Sequence, residues 1–325
     1  MTRTASTRRP FRPAVPGGDL LALRPVNALH ALRRAGADGE ACPLSLAGIA
    51  RALGGSRGAL PVVAAPLPAI ARAALVAARE ARAVVGLAPL PGAAPEPWFA
   101  AVARAADELA PRLPFFVSAE VSATDGAGAL ERAGAAGHRL VEAGATHLAV
   151  DVSALPLAHR GHAAAAAAAP AVERELAVEC VLPAHCAADP DGAAAFLEEF
   201  EGWGARAELL GLRLPAARDE GQARWQAMAL DAVEAACAGR PVVRRGALGG
   251  PELPHLVARG LRLCADGGRV LAAGLRALPP GPRGQLELPP ELAARVEALA
   301  YAEAASLIER LGASGTAAAL LAGLR

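Results

Sequence analysis

Eight short apolar runs alternate with helical segments along this chain, and that alternation limits its fold more than any other feature. The runs are Leu60–Ala65, Ala83–Ala88, Leu113–Val121, Thr146–Val152, Leu176–Leu182, Ala207–Leu214, Pro241–Arg245 and Leu261–Ala265. They are largely apolar throughout, as parallel strands covered on both faces read. Between them, apolar residues recur at helical spacing over Pro66–Ala81, Glu96–Ala110, Gly128–Ala143, Ala158–Glu175, Asp191–Trp203, Gly221–Ala238 and the shorter Pro251–Arg259. Strand–helix units repeated this often predict an α/β protein, a closed (β/α)8 TIM barrel. An open doubly wound sheet is the alternative, but no G-x-G-x-x-G follows the first run.

The rest of the chain flanks this repeat. Apolar spacing predicts an N-terminal helical addition over residues 19–55, with helices at Asp19–Arg34 and Pro43–Leu53. Two C-terminal helices, Pro290–Leu311 and Thr316–Leu324, close residues 289–325. Residues 1–18 are an Arg/Pro-rich stretch expected to be disordered. Its Arg8–Arg9 pair and Phe11 faintly resemble a twin-arginine signal, but no apolar core follows. The expectation is one barrel domain over 19–325, with the barrel itself in 60–275.

Composition excludes several functions. The net charge is +1, which gives no electrostatic case for nucleic acid or a membrane surface. No run reaches the ~18 apolar residues of a membrane span. The chain contains no lysine, so Schiff-base catalysis, pyridoxal-phosphate chemistry and a lysine-bearing phosphate loop are all excluded. Five cysteines without paired spacing read as reduced thiols in a cytoplasmic protein.

Barrel enzymes carry their chemistry at strand C-termini. Two acids sit there: Glu120 ends the third run and Asp151 the fourth. Glu120 has the chemistry of a general acid or base, and Asp151 that of a group orienting a ligand hydroxyl. Arg213 ends the sixth run, and Arg244 and Arg245 end the seventh. Strand alternation sends Arg244 and Arg245 to opposite faces, so one of them joins Arg213 in a possible anion clamp. The other reading is that these arginines neutralise Glu120, Asp151 and Glu179. Gly246–Gly250, including Gly249, and Gly267–Gly268 follow runs seven and eight, the recurrent phosphate position of the fold. Leu248 puts an apolar residue in the first of these loops. Cys180, His185 and Cys186 beside Glu179 do not form a recognised ligand frame. His159 and His162 lie after the fourth run.

The stretches LPVVAAPLPAIARAALVAAREARAVVGLA, AGATHLAVDVSALP, RPVVRRGALGGPELPHLVARGLRLCADGG and IERLGASGTAAA resemble segments of the class II, metal-dependent fructose- and tagatose-bisphosphate aldolases. AGATHLAVDVSALP is similar to the family's strand-four segment of the type AGFTxVMIDASHLP. RPVVRRGALGGPELPHLVARGLRLCADGG resembles its strand-seven and strand-eight region with an LHGGSG phosphate loop, and IERLGASGTAAA its C-terminal LFGSAGKA. The resemblance implies a TIM barrel, a phosphorylated sugar ligand and a lyase lineage in carbohydrate metabolism. It also implies roles for particular residues. In SAEVS, Glu120 takes the place of the family's catalytic aspartate and Val121 that of a metal-binding histidine. Glu179 keeps an acid of strand five, the strand-six histidine has no counterpart, and Arg245 stands where the strand-seven histidine is expected. A zinc-like ion needs three or four nitrogen, sulfur or carboxylate ligands. The expectation is therefore a protein without a metal or other cofactor: a non-catalytic homologue or accessory subunit that binds a sugar phosphate or similar anion. It would act beside a catalytic aldolase partner or as a homo-oligomer. The alternatives are a metal-independent lyase or isomerase using Glu120 as base, and a true aldolase with displaced ligands.

Overall fold

The computed structural model describes residues 20–37, 39–54, 58–90, 94–259, 262–266, 268–278 and 288–324. Eight parallel strands close into a barrel: β1 (Ala59–Ala64), β2 (Val85–Ala88), β3 (Pro114–Ser122), β4 (His147–Asp151), β5 (Ala177–Leu182), β6 (Leu209–Arg213), β7 (Val242–Arg245) and β8 (Arg262–Ala265). Each strand pairs with the next, and β8 returns to β1 with Leu263 opposite Leu60. The (β/α)8 expectation holds. The ladders mostly start a residue or two inside the apolar runs, because burial extends further than strand pairing. Val84, for example, is fully buried, but its amide donates to the Thr316 hydroxyl at 2.8 Å rather than to a neighbouring strand.

The N-terminal addition departs from its sequence reading. Pro25 lacks the amide a continuous helix would need, and it divides the expected Asp19–Arg34 helix. A 3-10 turn spans Leu20–Leu23, and the helix runs Val26–Ala35. The second helix spans only Leu46–Ala52. Cys42–Pro43 instead pairs in parallel with Pro114–Phe115. β3 has nine residues, and β4 first meets it at Ser118, so the start of β3 has an open edge that Cys42–Pro43 covers. A helix at Arg269–Leu275 follows β8 and was not read from the sequence. The C-terminal helices run Pro290–Arg310 and Thr316–Gly323. The stretch 1–18 lies outside the described residues.

Side-chain parity decides what fills the barrel. Phe116, Ser118, Glu120 and Ser122 point inward from β3; His147, Ala149 and Asp151 do so from β4. Glu179, Gly211, Arg213 and Arg245 share the interior. Two glycines make room. A Cβ on Gly86 would lie 2.3 Å from the Phe116 ring, and one on Gly211 would lie 2.0 Å from Glu179 Oε1. Phe116 fills the lower barrel, and charged groups fill the layers above it.

The helix after β3, Ala129–Ala143, leans on the alanine-rich helix Leu157–Glu173. Gly137 allows the approach, since a Cβ there would meet Ala167 O at 2.1 Å. The described residues contain no helix long and apolar enough to cross a membrane.

Candidate functional site

A cavity of about 540 Å³ opens at the C-terminal ends of the strands. At its floor, guanidinium and carboxylate groups interlock. Glu179 is fully buried and binds Arg245 bidentately: Arg245 Nη2 donates to Oε2 at 2.9 Å and Nε donates to Oε1. Arg245 Nη1 also donates to Glu120 Oε2 at 3.0 Å. Arg213 Nη2 donates to the other oxygen of Glu120 at 2.6 Å and to Asp151 Oδ2 at 3.3 Å. Serines complete the acceptors. Ser122 Oγ donates to Glu120 Oε1 at 2.9 Å, and Ser153 Oγ donates to Asp151 Oδ1 at 2.6 Å.

The electrostatics follow from the packing. Burial pushes the Glu179 carboxyl up, but Arg245 and His147 outweigh it and hold it down at about 2. Burial alone would lower Arg245, yet Glu179 and then Glu120 raise it, so the pair stays ionised. His147 sits beneath, buried, with Nδ1 2.9 Å from Ser118 Oγ and its ring edge-on to Phe116. Its Nε2 lies 3.2 Å from Glu179 Oε2 without meeting hydrogen-bond geometry.

Glu120, Asp151, Glu179, Arg213 and Arg245 are thus brought together. Arg244 is not part of the group. It points to the outer face, where Nε donates to Glu252 Oε2 at 2.9 Å and the Nη groups donate to carbonyls of Leu214, Pro215, Arg245 and Ala247. The glycines of the two loops divide. Gly246 lines the cavity with φ +92°, and a Cβ would meet Leu214 O at 2.5 Å. The Gly249 amide donates to Glu252 Oε1. Gly268 also lines the cavity, but its amide donates to Asp266 Oδ1 at 2.8 Å. Gly267 lies outside the described residues.

Sequence reasoning missed Ser118, a lone polar residue inside an apolar run, and Asp266, whose carboxyl is raised by burial; it weighed His147 only as one of five histidines that could meet at the strand ends. Their parity with the mouth residues was the available signal. It also missed Arg132 and Arg139, which line the cavity. Of the histidines His138, His147, His159, His162 and His185, only His147 lines it. His162 stacks on Trp203, with ring centroids 3.6 Å apart. Cys180 and Cys186 are buried while His185 is exposed, and all five cysteines are free and buried.

No protein-family model matches the chain, and no curated protein sequence matches it. Solved structures do. The YdjI aldolase of Escherichia coli K12 superposes with a TM-score of 0.56 at 16% identity, over 83% of this chain and 97% of that one. A provisionally named fructose-1,6-biphosphate aldolase of Coccidioides immitis gives 0.56 at 15% identity, over 90% and 98%. A probable tagatose 6 phosphate kinase of Sinorhizobium meliloti 1021 gives 0.54 at 17% identity, over 82% and 86%. The fold is an aldolase-like TIM barrel.

Within that barrel, the residues present do not fit the divalent cation that the sequence resemblance implies. Among the described residues, no group of three His, Cys, Asp or Glu is placed to hold one. The three central carboxylates are each held by a guanidinium, and Arg245 brings a fixed positive charge that repels a dication.

Proposed function

We propose that this protein binds a small anionic or phosphorylated sugar at the mouth of an aldolase-like barrel and does not cleave it. One observation carries the reading: Arg245, clamped by Glu179 and bridged to Glu120, forms the floor of the cavity. In the family it resembles, this position supplies a metal ligand. Aldol cleavage needs an electron sink, either a metal ion or a lysine iminium. This chain has no lysine, and its floor is a salt-bridged cluster.

The same cluster has binding capacity left. Arg213 is 45% exposed at its side chain and uses only Nη2 among the described residues. Its Nε and Nη1 are available to a ligand oxygen. Glu120 and Ser122, which also line the cavity, offer oxygens to a polyol. Among the described lining residues, four arginines, Arg132, Arg139, Arg213 and Arg245, face three carboxylates, Glu120, Glu179 and Asp266. The wall is therefore suited to an anion. A general-base role for Glu120 is less favoured, because both of its oxygens accept from arginine. Accessory service to a catalytic aldolase is the biological setting this reading implies.

Isothermal titration of the chelator-treated protein with sugar phosphates, beside an aldol-cleavage assay with ketose bisphosphates, tests the proposal. Binding without cleavage is expected, with or without added zinc. Cleavage that appears on adding a divalent ion would sink it.

A further inference from the structure

The two loops that hold phosphate in many barrels of this kind are already filled by the protein's own carboxylates. After β7, Glu252 takes the Gly249 amide while paired to Arg244. After β8, Asp266 takes the Gly268 amide at 2.8 Å and the Val270 amide at 3.0 Å. An incoming phosphate would find these donors spent and a negative charge beside them.

Elsewhere on the cavity wall the opposite holds. The helix Ala129–Ala143 turns Gly134 and Gly137 toward its neighbour. At about 100° per residue, Arg132 and Arg139 fall on the far side of the helix from those glycines. Both line the cavity. Among the described residues, Arg132 donates only to the carbonyls of Ala127 and Thr124 and is paired with no carboxylate. Arg139 has no ion pair or hydrogen bond among the described residues. Ala119, Leu90, Ala136 and Leu140 also line the cavity, giving an apolar strip beside the charged groups.

We propose that Arg132 and Arg139 form an anion subsite that takes the charged end of the ligand while its hydroxyls reach Glu120 and Arg213. This rests on the reading that the mouth binds an anionic sugar, and it narrows the ligand class. The ligand is a polyol with a terminal phosphate or carboxylate, whose C–H surface lies on the apolar strip. Inorganic phosphate alone, lacking that second anchorage, binds more weakly.

The test is isothermal titration of the full chain with triose, pentose and hexose phosphates, the matching sugar acids, the parent sugars and inorganic phosphate. At least one sugar phosphate or sugar acid is expected to bind more tightly than its parent sugar, and the better of the two arms identifies the anion. The double variant Arg132→Ala/Arg139→Ala is expected to weaken that ligand about tenfold or more. The Arg132→Lys/Arg139→Lys pair should recover part of the loss by restoring charge without the guanidinium fork. Both positions are exposed, so circular dichroism and melting temperature should stay at wild-type values. Undiminished affinity in the double alanine variant would overturn the subsite and leave the mouth reading intact. Equal affinity for the parent sugar would also overturn it. If the wild-type protein bound neither class of anion, both readings would fall together.

Discussion

Arg244 and Arg245 are neighbours in sequence, and each is paired with a carboxylate, but the two pairs belong to different parts of the molecule. Arg244 is 1% exposed and faces outward from β7. It satisfies Glu252 and several carbonyls of the loops after β6 and β7, and it does not line the mouth cavity. Arg245 faces inward with its side chain 12% exposed, shares two carboxylates and lines the mouth. The first pair ties loops together. The second organises a surface that a ligand can reach. Which of the two an arginine becomes is decided by strand parity.

The contrast can be broken first at Arg244. Arg244→Met leaves Glu252 as a buried, uncompensated charge, and should cost about 3–5 kcal/mol. Urea unfolding measures this, and a loss below about 1 kcal/mol would mean that the lock holds nothing. Arg245→Met breaks the buried pair with Glu179 and should cost about 3 kcal/mol at neutral pH. Its pH signature is more telling than its size. In the wild type, Glu179 is depressed when folded, so its contribution is present above the unfolded value and is lost as pH falls from 4.5 toward 2. In the variant, burial acts without Arg245 and raises Glu179. The variant should therefore gain stability between pH 7 and pH 5, where the wild type barely changes. A variant that tracked the wild type across that window would separate Glu179 from Arg245.

Gly211→Ala sharpens the comparison from the other partner. The new methyl would meet Glu179 Oε1 at 2.0 Å and Arg245 Nε at 2.9 Å. A loss of about 1–3 kcal/mol is expected, together with weakened ligand binding, while the Arg244 lock is untouched. Unchanged binding and stability would show that the pair tolerates displacement. The smallest effect belongs to Glu120→Gln, a partly exposed member of the mouth, at below about 1 kcal/mol by thermal unfolding. Its larger consequence should be in ligand affinity.

The fold was legible because continuously apolar runs mark parallel strands whatever their exact ends. The mouth was legible in part. Glu120, Asp151, Arg213 and Arg245 end strands, and their parity places them. Ser118 and His147 were not legible, because a lone polar residue within FFVSA or THLAV gains meaning only when the register sets Ser118 opposite His147. The loop glycines misled for a related reason. Glu252 and Asp266 occupy the Gly249 and Gly268 amides, and nothing in local sequence says that a nearby acid folds back onto them. The helix beginning at Leu46 was placed too early because the open edge of β3, which draws in Cys42–Pro43, is a long-range fact.

The most direct test is titration of a sugar phosphate into chelator-treated protein, wild type against Arg213→Ala. Binding that persists without metal and is lost with Arg213 is the expected result. Binding that vanishes on chelation and returns with a divalent cation, or that is indifferent to Arg213, would contradict a mouth run by arginine.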